Sequence, residues 1–73
     1  MQDRISITML DDGIADVRLI RADKMNALDP AMFDGIIAAI DRLESEPGVR
    51  AVVLSGEGRS FCAGLDMASF TAP

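Results

Sequence analysis

Val49-Arg50-Ala51-Val52-Val53-Leu54 decides the fold class. Its last four residues form an apolar run without polar alternation. A strand with one wet face alternates, so an unbroken run predicts burial on both faces, as in a parallel sheet. A parallel neighbour in turn requires a crossover element before this strand, and the residues upstream supply one. Asp29-Pro30 opens a helix, because aspartate accepts from free N–H groups of the first turn and proline at the first helical position gives up no needed donor. Phe33, Ile36, Ile37, Ile40 and Leu43 then recur at i, i+3, i+4, i+7 and i+10, one apolar stripe. Asp34, Asp41, Arg42, Glu44 and Glu46 lie mostly off it, and Pro47-Gly48 ends the helix.

Further upstream the period changes. Ile5, Ile7 and Met9 alternate with Arg4, Ser6 and Thr8, and Ala15, Val17 and Leu19 alternate with Asp16, Arg18 and Ile20. Asp11-Asp12-Gly13 between them predicts a tight hairpin turn with positive φ at its centre. Arg21 to Leu28 has no sustained period and reads as a connecting loop. Strand, helix and strand with short connections predict a right-handed crossover, hence an α/β class. Two-sided burial of the last strand needs a layer on each side of the sheet. One helix covers one face, so the sequence implies further material beyond these 73 residues.

Composition narrows the functional classes. At this length a single small domain is the limit, and such domains are marginal without disulfides, metals or partners. Cys62 is the only cysteine and there is no histidine, so an internal disulfide, a zinc site of the usual kind, and Cys–His or Ser–His–Asp catalysis are excluded within this chain. Hydrophobic residues make up 49%, which argues against intrinsic disorder. A net charge of −5 with scattered basic residues argues against a nucleic-acid surface. Met1-Gln2-Asp3-Arg4 lacks a targeting pattern and no window reaches the length of a membrane span, so a cytoplasmic protein is expected.

After Leu54 come Ser55-Gly56-Glu57-Gly58-Arg59-Ser60, a loop by composition, and then Phe61-Cys62-Ala63-Gly64-Leu65-Asp66-Met67. The glycines at 56 and 58 invite a nucleotide reading, but Phe61 stands where a dinucleotide fingerprint needs glycine, and no Gly-Lys-Ser/Thr follows. They serve as loop punctuation. Asp11 and Asp12 lack calcium-loop spacing and belong to the turn; no metal site is expected. Cys62 reads as a partly buried, inert thiol. Asp66 reads as the cap of a second helix through Met67, Ala68, Ser69 and Phe70, with the sequence ending at Pro73. Ala63 and Gly64 would let a ligand approach the backbone closely, and a main-chain donor such as the Leu65 N–H could meet an oxygen that gains negative charge. Lys24 by itself is a solvated loop lysine; beside an anion site it becomes a phosphate-binding candidate.

Two separated motifs then coincide. Arg21-Ala22-Asp23-Lys24-Met25-Asn26-Ala27-Leu28 and Phe61-Cys62-Ala63-Gly64-Leu65-Asp66, with the helix and Gly48 to Gly56 between them, resemble the N-terminal part of the crotonase (enoyl-CoA hydratase/isomerase) superfamily in order and spacing. The resemblance implies a ββα spiral fold: here a β-hairpin, a helix, a buried strand and the start of a second helix, an incomplete part of a single domain spanning residues 1–73. It implies an acyl-CoA enzyme, assembled as a trimer or hexamer, with the coenzyme A thioester as substrate and no separate cofactor, nucleic acid or membrane partner. Its first oxyanion donor is the residue between Gly and Asp, here Leu65. Lys24, Met25 and Ala27 would lie along the CoA, with the lysine near its phosphates, and Ala63, Gly64, Leu65, Asp66 and Met67 would line the adenine and pantetheine path. The second donor and the acid/base carboxylates of the family lie in later segments. Enoyl-CoA hydration is therefore expected of a longer parent and inactivity of these residues alone, with a dienoyl-CoA isomerase or a non-catalytic interaction module as the alternatives.

Overall fold

The computed structural model describes residues 3–70; Met1, Gln2 and Pro73, invoked above, lie outside them. Strand β1 (Ile5–Met9) pairs antiparallel with β2 (Ile14–Leu19), from Ile5 opposite Leu19 to Met9 opposite Ala15. The hairpin connection is a 3-10 turn, Asp11–Gly13, closed by Leu10 N–H donating to the Ile14 carbonyl at 2.7 Å. Asp12 and Gly13 both take positive φ, 67° and 79°, the backbone demand the Asp-Gly pair meets. Helix α1 (Pro30–Ser45) follows, and β3 (Ala51–Gly56) then pairs parallel with β2 in the sheet order β1-β2-β3. The α/β strand–helix–strand order expected from the apolar run is present.

Asp29 caps α1. Its carboxylate accepts from Met32 N–H at 2.8 Å, and Pro30 opens the first turn. The central strand carries the core: Ala15, Val17 and Leu19 are buried on one face of the sheet, with Met32 and Ala39 buried on the helix. The helix touches the sheet through β1, where a side chain at Gly35 would come to 3.0 Å from Ile5 Cγ1. An edge-to-face pair of Phe33 and Phe70, centroids 6.1 Å apart, ties the helix to a C-terminal 3-10 turn, Met67–Phe70. Among the described residues that turn is as far as the expected second helix extends.

Two expectations are corrected. Strand β3 is not buried on both faces: Val52, Val53 and Leu54 are 48%, 52% and 54% exposed. It is an edge strand, and no described element covers it. One of its faces continues β2's polar side, where Arg18 and Asp16 pair at 3.3 Å. The apolar stripe of α1 is likewise only partly covered. Ile36, Ile40 and Leu43 look across at Val17, Leu19, Val52 and Leu54, but an apolar groove of about 370 Å³ separates the two layers. Ile37 and Ile40 remain exposed. Small residues, Gly35 and Ala39, make the close contact, because only they let the helix axis approach β1.

Candidate functional site

The two motifs meet in space. Leu28 and Leu65 form a parallel bridge, with Leu28 N–H donating to the Gly64 carbonyl at 2.7 Å and Asp66 N–H to the Leu28 carbonyl at 2.9 Å. Ala63 N–H adds a third bond, to the Met25 carbonyl at 3.0 Å. In a parallel ladder, successive residues of one strand present their main-chain groups alternately to the partner and away from it. Gly64 and Asp66 face Leu28, so the N–H of Leu65 faces the other way. Among the described residues it meets no acceptor. Gly64 makes the turn before it possible: its φ of +94° is a region that side-chain-bearing residues rarely adopt.

Asn26 holds the loops around this bridge together, a role that the sequence alone did not disclose. It sits in the left-handed region, φ 58°, and is fully buried. Its side-chain oxygen accepts from Arg21 N–H at 2.8 Å, and its amide nitrogen donates to the carbonyls of Glu57 at 2.9 Å and Ser60 at 2.8 Å. One side chain thus joins the loop after β2 to the loop after β3. Gly56 leaves room for it, since a Cβ there would collide with the Phe61 carbonyl oxygen and reach Asn26 Nδ2 at 2.9 Å. The signal available in the sequence was asparagine itself, which tolerates positive φ and carries both a donor and an acceptor.

The second missed group is Arg21. Its Nη1 lies 2.9 Å from the Asp66 carboxylate and donates to the Ala27 carbonyl at 3.0 Å, while Nη2 is 3.4 Å from Asp29. Asp29 is also held by Arg4 at 2.9 Å. Hydrogen bonding from Arg4, then the Met32 N–H and the charge of Arg21, keep the Asp29 carboxyl below the usual carboxylate range. Arg21, then Ser69 and the Ala68 N–H, do the same for Asp66. Both carboxylates are therefore engaged by arginines and are poorly placed to serve as bases. Asp66 also receives the Ser69 N–H at its carbonyl, 2.9 Å, so it does start a helical turn, a 3-10 one.

The remaining candidates divide. Lys24, Met25, Ala63, Leu65 and Met67 are exposed around the bridge; Ala27 is buried, with its N–H bonded to the Lys24 carbonyl. Cys62 is half-buried and free, and its Sγ accepts from Gly64 N–H at 3.4 Å. No cluster of metal-ligating side chains occurs among the described residues, and no helix there is long and apolar enough to cross a membrane.

Residues 10–72 match the family model for enoyl-CoA hydratase/isomerase. The chain belongs to the enoyl-CoA hydratase/isomerase family. A Thermus thermophilus protein to which enoyl-CoA hydratase activity is attributed is 47% identical over 55 residues, covering 75% of this chain and 22% of that protein. A 4-chlorobenzoyl coenzyme A dehalogenase of Arthrobacter is 43% identical over 56 residues, covering 77% of this chain and 20% of the dehalogenase. The crystal structure of an enoyl-CoA hydratase from Mycobacterium smegmatis superposes with a TM-score of 0.91 at 32% identity, over 99% of this chain and 28% of that one. The chain thus spans between 20% and 28% of the length of these relatives. Its hairpin, helix and parallel strand fit the N-terminal α/β portion of the crotonase fold.

Proposed function

We propose that the Leu65 N–H is one of the two main-chain donors that hold the thioester oxygen in an enoyl-CoA hydratase, of whose single crotonase-like domain residues 1–73 are part. Hydration adds water across the double bond next to the thioester carbonyl: hydroxide equivalent to the β-carbon, a proton to the α-carbon. Between the two, negative charge collects on the carbonyl oxygen as an enolate. A fixed donor aimed at that oxygen stabilises the charge where it develops, and one such donor in a water-excluding site is worth roughly 2.7–4 kcal/mol. The observation that carries this reading is the orientation of the Leu28–Leu65 bridge, which spends the main-chain groups of Gly64 and Asp66 on the ladder and leaves that of Leu65 facing outward.

The exposed residues bordering the bridge, Lys24, Met25, Ala63 and Met67, are proposed to follow the CoA, with the Lys24 ammonium toward its phosphates and Gly64 giving the ligand close access to the backbone. Ala27 and Asp66 act from behind, through the ladder and Arg21. The second donor and the acid/base groups are assigned to the rest of a longer protein, because Asp29 and Asp66 are carboxylates already paired with arginines; residues 1–73 alone are therefore expected to be inactive. Assembly as trimers or pairs of trimers is part of the same reading. A relative of similar identity is named for dehalogenating a CoA ester, which favours thioester binding as the contribution of this stretch and leaves the choice among hydration, dienoyl-CoA isomerisation and other reactions to carboxylates elsewhere.

Leu65→Pro in the full-length protein tests the donor directly. Proline deletes the N–H while leaving the ladder, which uses Gly64 and Asp66, without loss of a bond. Turnover of crotonyl-CoA should fall about 10²–10³-fold, whereas Leu65→Ala, which keeps the N–H, should stay within a few-fold of the parent. Unchanged turnover in the proline variant would remove Leu65 from the mechanism.

A further inference from the structure

We infer that Arg21 is a positioning residue for the oxyanion donor, fastening the two strands of the Leu28–Leu65 bridge to each other and to the start of α1. The inference rests on the proposed role of Leu65 and adds to it the side chain that fixes where that N–H points.

The main-chain bridge is short. Two ladder bonds and the Ala63 to Met25 bond connect a loop to a segment far along the chain. Rotation of so short a bridge about its own axis is the motion that would turn the Leu65 N–H away from its target. Arg21 opposes it from the side. Its Nη1 contacts the Ala27 carbonyl on one strand of the bridge and the Asp66 carboxylate on the other, at 3.0 and 2.9 Å. These two residues immediately precede Leu28 and follow Leu65. The planar guanidinium makes both contacts with one rigid group, which a lysine ammonium on a flexible stem cannot reproduce at the same angles.

The guanidinium is itself held. Nη2 reaches Asp29, whose carboxylate is anchored by Met32 N–H at 2.8 Å and by Arg4 at 2.9 Å. Arg21 and Asp66 are only 12% and 17% exposed at their side chains, so the fork is packed in place. A continuous path of short contacts therefore runs from the first turn of α1 through Asp29, Arg21 and Asp66 to the residue beside Leu65. Arg21 touches no reacting atom on this path; it acts through the peptide it orients.

The consequence is measurable apart from folding. The pair to make in the full-length protein is Arg21→Lys, which keeps the charge, and Asp66→Asn, which keeps the shape. Three readouts are taken: kcat and KM for crotonyl-CoA, affinity for an S-alkyl-CoA thioether that has no carbonyl, and the carbonyl stretch of a bound, unreactive acyl-CoA thioester. A donor held on target polarises the carbonyl and lowers its stretching frequency. Both variants should lose about 10- to 100-fold in kcat with KM changed less than threefold, bind the thioether within threefold of the parent, and return part of the carbonyl shift. Should Arg21→Lys fail to hold the thioether, Asp66→Asn, which leaves the Arg21 guanidinium in place but replaces its charge-assisted contact at position 66 with a weaker neutral one, carries the test. Parent-like kcat and a full carbonyl shift in both variants would overturn the positioning role while leaving Leu65 intact. Absence of any carbonyl shift in the parent, with Leu65→Pro equally active, would instead remove the reading on which this inference rests.

Discussion

Replacing Asn26 offers the most discriminating test of how the site is built. The buried amide makes three hydrogen bonds, one accepted from Arg21 N–H and two donated to the carbonyls of Glu57 and Ser60. A net contribution of about 1 kcal/mol for each gives about 3 kcal/mol for Asn26→Gly, because glycine accepts φ 58° without strain. Alanine loses the same bonds and must also occupy the left-handed region, at about 1 kcal/mol more, so about 4 kcal/mol is expected for Asn26→Ala. Aspartate is nearly isosteric and keeps the acceptor for Arg21, but it puts a carboxylate oxygen against two carbonyl oxygens. At pH 7 Asn26→Asp should therefore be at least as damaging as Asn26→Ala. Urea unfolding of the three variants, followed by circular dichroism, gives the order directly: glycine mildest, then alanine, with aspartate equal to or worse than alanine. An Asn26→Asp variant within about 0.5 kcal/mol of the parent would show that the amide does not donate to those carbonyls, and the stapling of the two loops would have to be abandoned.

Other outcomes follow from the same contacts. Asp29→Ala removes a helix cap worth about 1 kcal/mol and leaves Arg4 and Arg21 without their shared carboxylate, for a total loss of about 2–4 kcal/mol; Asp29→Asn keeps the cap and should recover part of it, as thermal unfolding will show. Gly64→Ala meets no neighbour within 4 Å, so its expected cost of about 1–2 kcal/mol is the backbone's alone, and urea midpoints should report it. Asp29 and Asp66 have folded pKa values lowered from 3.8, so their contribution is present above about pH 4 and lost as the pH falls through the lower folded values. Stability measured from pH 7 downward should hold until about pH 4 and then decline, and Asp66→Asn should flatten that decline.

Local grammar was legible in the sequence. The alternation at Ile5–Met9 and Ala15–Leu19, the positive φ at Asp12-Gly13 and the cap at Asp29-Pro30 are set by neighbours a few residues away, and each appears where the residues place it. The pairing of the Lys24–Leu28 loop with Ala63–Asp66 was legible only through the family resemblance. What escaped was of two kinds. The exposure of β3 and of the α1 stripe depends on which layers are present, and an apolar run such as Ala51–Leu54 states only that a strand is suited to burial. The roles of Asn26 and Arg21 depend on contacts across distances of up to 45 residues along the chain, from Arg21 to Asp66. Charge and amide chemistry make such contacts possible without naming the partner.

The Leu28–Leu65 bridge also determines how this site would look to an alanine scan. The proposed donor belongs to a peptide group, and Leu65 is 53% exposed, so truncating its side chain would leave the donor untouched. Sensitivity would instead appear at Arg21, Asn26, Asp29 and Asp66, none of which faces the ligand in this reading. A map of damaging substitutions would trace a ring around Leu65 with a silent position at its centre, and a search for the active residue by side chain would land on the frame rather than on the atom it holds.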